Sequence, residues 1–243
     1  MSDERPFHPE QLRPVNYVSA PDPRSVGFVT LDRETGGWGP LQIADYHKAV
    51  SPHCLNKAVP EDIRVHFDTA RNLYLYAFFV YRFYPVSEHQ ALACLELALR
   101  MRYEKEIPKK YFGRSKFLTL GPLLRYAIDK GDVRNEGFKR WHEAAETRAK
   151  SRYSTEKLDE MREKGLDRID LDYSEAQVTD IDRNQTYIDD LVKFLPELRN
   201  NYAHGSKMLH SSVLGTIQMV SEIINQIYPD DGDVGESEPS KGQ

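Results

Sequence analysis

Six consecutive residues near the C-terminus combine side chains that can cut a phosphodiester bond: Arg199-Asn200-Asn201-Tyr202-Ala203-His204. A guanidinium binds a phosphate and stabilises the charge that develops on it in the transition state. An imidazole with a pKa near neutrality can move a proton to or from a ribose hydroxyl or a leaving oxygen. Because the RNA 2′-hydroxyl supplies an internal nucleophile, this chemistry needs no activated water. We therefore expect Arg199 and His204 to be catalytic, with Asn200 orienting the phosphate or the histidine.

The helix that must carry these residues separates two of them. At about 100° per residue, Asn200 and His204 lie on one helical face, whereas Arg199 lies roughly 140° away from His204. One straight helix therefore cannot easily bring both side chains to the same phosphate. The helix could be distorted, because Pro196 removes a hydrogen bond and Gly205 is a natural stop. Alternatively, a two-fold axis could bring two copies of the chain together into one shared site.

The segment resembles the R-x4–6-H motif of the HEPN superfamily, including the polar residue after the arginine that this family favours. The resemblance extends to the helical arrangement of residues 61–105 and 184–228, about half of the chain. It implies a bundle that forms a homodimer and, in many members, a metal-independent endoribonuclease of toxin–antitoxin, abortive-infection or other defence systems. By this resemblance Arg199 binds phosphate, Asn200 supports it and His204 is the general acid/base.

The resemblance also sets our expectations for partners. They are an RNA substrate, a second copy of the chain, and an antitoxin or regulatory protein, with no cofactor, no metal and no membrane. The alternative is a non-catalytic HEPN-like module that binds a protein or nucleotide partner, as other members of the superfamily do. Glu96 and Tyr202 are candidate supporting residues. Glu96 either forms an exposed pair with Arg100, four residues on, or orients Arg199 or His204 if that helix face meets them.

The bare R-x4–6-H pattern occurs twice in the chain. With 19 arginines and 8 histidines, about two matches are expected by chance. The second match begins at Arg82 and ends at His89, and it crosses a helix break that we expect at Pro85. The match at 199–204 is favoured because it has the asparagine and ends an apolar-striped helix. A surface arginine and a histidine that caps a helix are the structural alternative, because a histidine near a helix C-terminus interacts well with the dipole.

Apolar residues recur at spacings of three and four and predict a mainly all-α fold, a HEPN-like antiparallel helical bundle over residues 61–228. The predicted helices run from Pro60 to the break at Pro85, from Ser87 to about Lys105, from Gly121-Pro122 to Gly131, from about Asn184 to His204, and from about Leu209 to Tyr228. The first two, joined by a short connection, should form an antiparallel pair.

Three segments lie outside this pattern. Residues 1–60 contain five early prolines and predict an irregular extension, with a small hairpin of strands at 27–31 and 41–43 around a turn at 36–40. Residues 106–183 predict a charged insertion, and residues 229–243 a disordered acidic tail. Residues 100–152 hold 15 basic against 7 acidic residues, and residues 153–190 hold 5 against 12. These stretches are either solvated helix faces or a basic surface for a phosphodiester chain beside an acidic neighbour.

Composition indicates a cytoplasmic protein. The net charge of −5 argues against a protein coated for non-specific nucleic-acid binding. We see no signal peptide, and the most apolar run, residues 73–84, is too short to span a bilayer. Two isolated cysteines are typical of a reducing compartment. The only weak metal patterns are His47, His53 and Cys54, which lack a fourth ligand, and Asp167, Asp170 and Asp172, which fit a solvated segment better.

Overall fold

The computed structural model describes residues 7–31, 36–112, 118–205 and 209–230. They form a mainly helical fold with a small N-terminal hairpin of two antiparallel strands. The strands are β1 (Val29–Leu31) and β2 (Trp38–Pro40), and the α-helices are α1 (Ile43–Val50), α2 (Glu61–Tyr76), α3 (Phe83–Tyr103), α4 (Leu120–Asp129), α5 (Lys139–Glu163), α6 (Asp180–Arg183), α7 (Tyr187–Ala203) and α8 (Leu214–Ile227). No helix among these described residues is long and apolar enough to cross a membrane.

Helices α2 and α3 form the predicted antiparallel pair. The Ser87 hydroxyl donates to the Ala70 carbonyl at 2.8 Å. About two turns further along α3, the Cys94 thiol lies 3.4 Å from the Ile63 carbonyl. The predicted apolar stripe of α2 is buried at Ile63, Phe67, Ala70 and Tyr74. The contact between the two helices is therefore formed mainly by small and apolar side chains.

The boundary between these two helices was predicted wrongly. Helix α2 ends at Tyr76, and α3 already begins at Phe83, so Pro85 lies in the first turn of α3 instead of ending α2. The first-turn N–H groups of a helix have no intrahelical partner, so proline is tolerated there. The second motif match, from Arg82 to His89, consequently lies at the start of α3 and crosses no helix break. It still lacks the asparagine that follows Arg199.

Helix α3 is the centre of the bundle. It packs against α2, α4, α7 and α8, and its buried residues point in most directions: Tyr84, Ser87, Glu88, Ala91, Leu92, Cys94, Leu95, Glu96, Ala98, Leu99 and Tyr103. Helices α7 and α8 bury the stripes that the sequence predicts, although α8 begins at Leu214, five residues later than expected. A helix this enclosed must satisfy any charged side chain that it buries.

The N-terminal extension is more ordered than we expected. Strand β2 is Trp38–Pro40, where a turn was predicted, and the predicted strand at 41–43 is wrong because Ile43 already begins α1. Tyr46 and Val50 of α1 belong to the main apolar core. The Tyr84 hydroxyl donates to the Tyr46 hydroxyl at 2.9 Å, which ties α1 to α3.

The charged segment after α4 contains one long helix. Helix α5 buries Trp141, Ala145, Ala149 and Tyr153, a narrow stripe with a spacing of four, and packs against α6. Its remaining surface is polar, as the composition predicts. The acidic tail that we expect to be disordered lies, from residue 231 onward, outside the described residues.

One buried aspartate holds the extension on the bundle. Asp22 is fully buried, and its carboxylate accepts hydrogen bonds from the Arg24 guanidinium at 2.9 Å and from the backbone N–H of Tyr81 at 3.0 Å. Burial opposes ionisation and raises the pKa of Asp22, but these donors outweigh it and hold the pKa below 3.8. The ionised form therefore stabilises the fold.

We predict that Asp22→Asn lowers the free energy of unfolding at pH 7 by about 1–3 kcal/mol, because buried donors lose a charged acceptor. A group whose pKa is lowered by folding stabilises above its unfolded pKa, here 3.8, and loses this effect as the pH falls through the folded-state value. Chemical denaturation from pH 7 to pH 3 should show the difference between wild type and variant shrinking. A difference that persists undiminished at pH 3 contradicts this account. The control is Asp159→Asn, since the pair of Asp159 with Arg162 is exposed and should contribute less than about 0.5 kcal/mol.

Candidate active site at the C-terminal end of α7

Helix α7 ends where the sequence predicts. His204 is the C-cap residue, and its N–H donates to the Asn200 carbonyl at 3.0 Å. Gly205 follows with a φ of 83°, the left-handed conformation that glycine adopts without strain. Leu191, Leu195 and Leu198 are buried and fix which side of α7 faces the bundle. In the last turn of the helix, Asn200, Asn201 and Ala203 are exposed, whereas Tyr202 is partly buried.

Arg199 is held against α3 by a buried carboxylate. Its Nε lies 2.9 Å from Oε2 of Glu96, and the Glu96 side chain is only 11% exposed. The contact is an ion pair without hydrogen-bond alignment, since Oε2 has no hydrogen-bond partner among the described residues. The other oxygen, Oε1, accepts from Arg100 at 3.0 Å. Glu96 thus does not form the exposed pair that we considered first: it is buried and bridges Arg100 and Arg199.

Asn200 and His204 occupy the solvent side of the same helix. Both are exposed, one helical turn apart, and none of the described residues hydrogen-bonds to either side chain. Arg199, by contrast, is half-buried beside α3. The helix continues through Pro196 as far as Ala203, so the separation of roughly 140° expected for a regular helix applies. Within one chain, therefore, the structure brings Arg199 to Glu96 and does not bring it to His204.

A second polar cluster lies beside the candidate residues and was missed by sequence reasoning. Glu88 is 2% exposed. Its Oε1 accepts a hydrogen bond from the Thr216 hydroxyl at 2.5 Å, and its Oε2 accepts one from the Tyr202 hydroxyl. His210 Nε2 lies 3.3 Å from Glu88 Oε2 and 3.2 Å from the Tyr202 hydroxyl. The carboxylate thereby joins α3 to α7, α8 and the connection between them.

Protons in this cluster can be assigned from its donors and acceptors. Burial, together with the hydrogen bond to Glu88, raises the pKa of the Tyr202 hydroxyl, so it remains protonated and donates. Because its proton is given to Glu88, the hydroxyl can only accept from His210, whose Nε2 must carry a hydrogen. Tyr202 is therefore a positioning residue in a carboxylate–hydroxyl–imidazole cluster, and its hydroxyl is not free for solvent chemistry.

The sequence contained a signal for this cluster. Glu88 precedes Leu92, Leu95 and Leu99 by four, seven and eleven residues, which places it on the core-facing stripe of α3. The helix start expected at Ser87 places Glu88 in a first turn, ahead of that stripe. A charged residue on an apolar stripe indicates a buried carboxylate that needs partners.

The weaker sequence patterns form no site in the structure. Arg82 forms a surface ion pair with Glu10, whereas the His89 ring lies 6.1 Å from the Tyr202 ring, so the two ends of the second motif match have different neighbours. Among the described residues, no group of three or more histidine, cysteine, aspartate or glutamate side chains could hold a metal ion. This covers both weak metal patterns, which lie at residues 47–54 and 167–172.

We predict that Glu88→Gln lowers the free energy of unfolding by about 1–3 kcal/mol, since an amide cannot accept from all the donors that surround the carboxylate. In a chain of this size the melting temperature should fall by about 2–4 °C for each kcal/mol. The matched control is Glu104→Gln, an exposed position at the end of the same helix.

A double-mutant cycle of Glu88→Gln with Tyr202→Phe should give a coupling free energy above about 0.5 kcal/mol. Simple additivity of the two changes would show that the cluster is not a unit.

Comparison with known proteins gives no independent guide to this site: the chain matches no protein-family model, and no curated protein or solved structure matches it at a significant level.

Proposed function

We propose that this protein is a metal-independent endoribonuclease of the HEPN type, a toxin or defence effector that cleaves RNA through Arg199 and His204. One observation carries the proposal. The shortest distance between Arg199 and Glu96 is from Nε, and Nη1 and Nη2, the pair that grips a phosphate, make no hydrogen bond to any of the described residues. A guanidinium anchored in this way is preorganised to bind an anion from solvent.

The proposed chemistry needs only groups at the end of α7, the substrate itself and water. The 2′-hydroxyl attacks the adjacent phosphorus, so the O2′–P bond forms while the P–O5′ bond breaks. His204 accepts the proton of the 2′-hydroxyl or protonates the departing O5′, and water supplies the other proton transfer. Arg199 neutralises the charge that builds up on the phosphate. The products are a 2′,3′-cyclic phosphate and a 5′-hydroxyl. Asn200, one turn from His204, orients the imidazole or the phosphate.

Glu96 has two opposing effects on Arg199. It fixes the direction of the guanidinium, which lowers the entropy lost when phosphate binds. It also supplies a negative charge that competes with the phosphate, although Arg100 shares that charge through Oε1. The Glu96 pair with Arg100 thus makes Arg199 a better anion ligand than an isolated Arg–Glu pair would be.

The separation of Arg199 from His204 within one chain favours a site shared between two copies. A two-fold axis near the end of α7 would place Arg199 of one protomer beside the histidine of its partner. Such an arrangement uses the exposed position of His204 directly, because the side chain already faces away from its own bundle. The non-catalytic binding module is the competing function, and the first experiment below separates the two.

We predict that His204→Ala lowers the rate of RNA cleavage in EDTA by about 100-fold or more, and that Arg199→Ala lowers it by about 100- to 1,000-fold. Circular dichroism and melting temperature should stay unchanged for His204→Ala, because the side chain is exposed. The controls are Lys193→Ala, an exposed cation on α7, and Arg82→Ala, from the second motif match; both should cleave like wild type. Expression of wild type, but not of His204→Ala, should arrest growth.

Two results would contradict this proposal. Equal cleavage by wild type and folded His204→Ala protein removes the site, and the residual activity would then be a contaminant. Absence of cleavage by wild type, over a range of RNA substrates and with the cell lysate added to supply an activator, would favour the binding module.

We also predict that two inactive variants complement each other. Arg199→Ala and His204→Ala chains, co-expressed in equal amounts with different affinity tags, should regain about a quarter of wild-type activity, since half of the dimers are mixed and each mixed dimer has one intact shared site. Mixed dimers purified through both tags should be the active fraction. If both variants fold and dimerise yet the mixture stays inactive, the site lies within one chain.

A further inference from the structure

Two arginines of the basic stretch found in the sequence line one cavity of the structure. A cavity of about 610 Å³ lies between α5 and the start of α7, and its lining includes Arg140, Arg148 and Trp141 of α5. Residues 184–187 and Asp190 form the opposite wall. A cavity of this volume is in the range that holds a small ligand. It does not include any residue of the site proposed at the end of α7.

The cations of α5 differ in how they are compensated. Arg152 is neutralised by Glu156 and by buried Asp182, and Lys139 pairs with Glu143. Arg140 and Arg148, by contrast, have no carboxylate within 4.0 Å among the described residues. The acidic segment expected from the sequence therefore neutralises the charge of Arg152 on α5. Arg140 and Arg148 remain available to bind another anion.

Arg148 is fixed in place yet incompletely bonded. Its Nε donates to the Asp182 carbonyl at 2.6 Å and its Nη1 to the Gln185 side chain at 2.8 Å. Its Nη2 is buried and has no hydrogen-bond partner among the described residues. Buried donors without partners indicate a missing water or ion.

Arg140 lies in the first turn of α5 and lines the same cavity. Its guanidinium covers Gly215 in the first turn of α8, so closely that a Cβ there would lie 2.7 Å from Nη2. The positive end of the α8 dipole adds to the charge of Arg140. Glu222 and Asp190 are the carboxylates that bear on this region, but neither comes within 4.0 Å of Arg140. Arg140 therefore keeps its charge without an ion-pair partner among the described residues.

The rest of the lining suits the organic part of a nucleotide. Trp141 and Tyr187 provide aromatic surface, and the Trp141 indole is held by a 2.8 Å hydrogen bond to the Gln185 carbonyl. Asn184 and Thr186 supply amide and hydroxyl groups. Asp190 offers the carboxylate that commonly accepts from ribose hydroxyls.

We propose that this cavity binds a nucleotide, with Arg140 and Arg148 on its phosphate and Asp190 on its ribose. The nucleotide is either free or one residue of an RNA strand. The proposal goes beyond RNA cleavage, because it concerns binding at a separate place and holds whether or not the chain cuts RNA.

Binding is measured on the full chain with the His204→Ala change, so that cleavage cannot consume the RNA. The probes are the four nucleoside 5′-monophosphates, by calorimetry, and a fluorescent 12-nucleotide RNA, by anisotropy. Arg140→Gln and Arg148→Gln should each weaken binding about tenfold, since each removes a charge-assisted contact. Arg140→Gln should also lower the salt dependence of RNA binding by about 0.7 in log–log slope, the effect of one lost contact with single-stranded phosphate.

Lys150→Gln is the matched control, because it removes the same charge from an exposed position of α5 outside the cavity. Arg148 supports the fold through Asp182, so Arg140→Gln, at an exposed side chain, is the decisive variant. Tight monophosphate binding identifies a free nucleotide, and RNA binding alone identifies a strand. The proposal is overturned if no probe binds, or if Arg140→Gln binds as tightly as Lys150→Gln. A chain that binds but never cleaves retains this site and loses the catalytic proposal.

Discussion

Two carboxylates buried on the central helix constrain how the other helices can pack against it. Glu88 and Glu96 of α3 are 2% and 8% exposed, and a carboxylate removed from water is costly unless donors surround it. Most of their partners come from the C-terminal third of the chain: Tyr202, His210 and Thr216 for Glu88, and Arg199 for Glu96. Arg100, on α3 itself, also donates to Glu96. Apolar packing brings α7 and α8 to α3, but these polar contacts select their register.

The same constraint decides what the end of α7 can do. Because Arg199 and Tyr202 turn inward to reach α3, the residues between and after them are left on the outside. Asn200 and His204 are therefore exposed by geometry, not by a lack of apolar partners. One helix thus carries both an anchored cation and a free imidazole, which is the feature on which the proposed function depends.

Much of the fold could be predicted from the spacing of apolar residues. The stripes of α2, α7 and α8 and the stop at Gly205 follow from periodicity and from the conformational freedom of glycine. Pro85 misled because proline breaks a helix interior but is accommodated in a first turn, and periodicity alone does not say which applies. The second strand of the hairpin was predicted three residues too late, at 41–43 instead of Trp38–Pro40. Helix α1, which begins at Ile43, is short and buries only Tyr46 and Val50, so its periodicity is a weak signal.

The candidate site was partly predictable for a different reason. Arg199 and His204 stand out by residue type and spacing. The pairing of Glu96 with Arg199 depends on which face of α3 packs against α7. The sequence is compatible with that packing but does not determine it. Glu88 was detectable from its place in an apolar stripe. The cavity beside Arg140 and Arg148 was not, because the sequence shows an excess of positive charge but not which cations remain uncompensated.

The docking of the N-terminal segment on α8 has a consequence for how the chain is made. The backbone N–H of Asn56 donates to the Asn225 side chain, and its side-chain amide donates to the Tyr228 carbonyl. Both partners lie about 170 residues later in the chain. The ribosome synthesises the chain from its N-terminus. The segment around Asn56 and the Glu88 carboxylate on α3 therefore stay hydrated until α8 emerges. Contacts of such long range close late and slowly. A nascent chain therefore cannot complete the polar cluster around Glu88 before Thr216 has been synthesised.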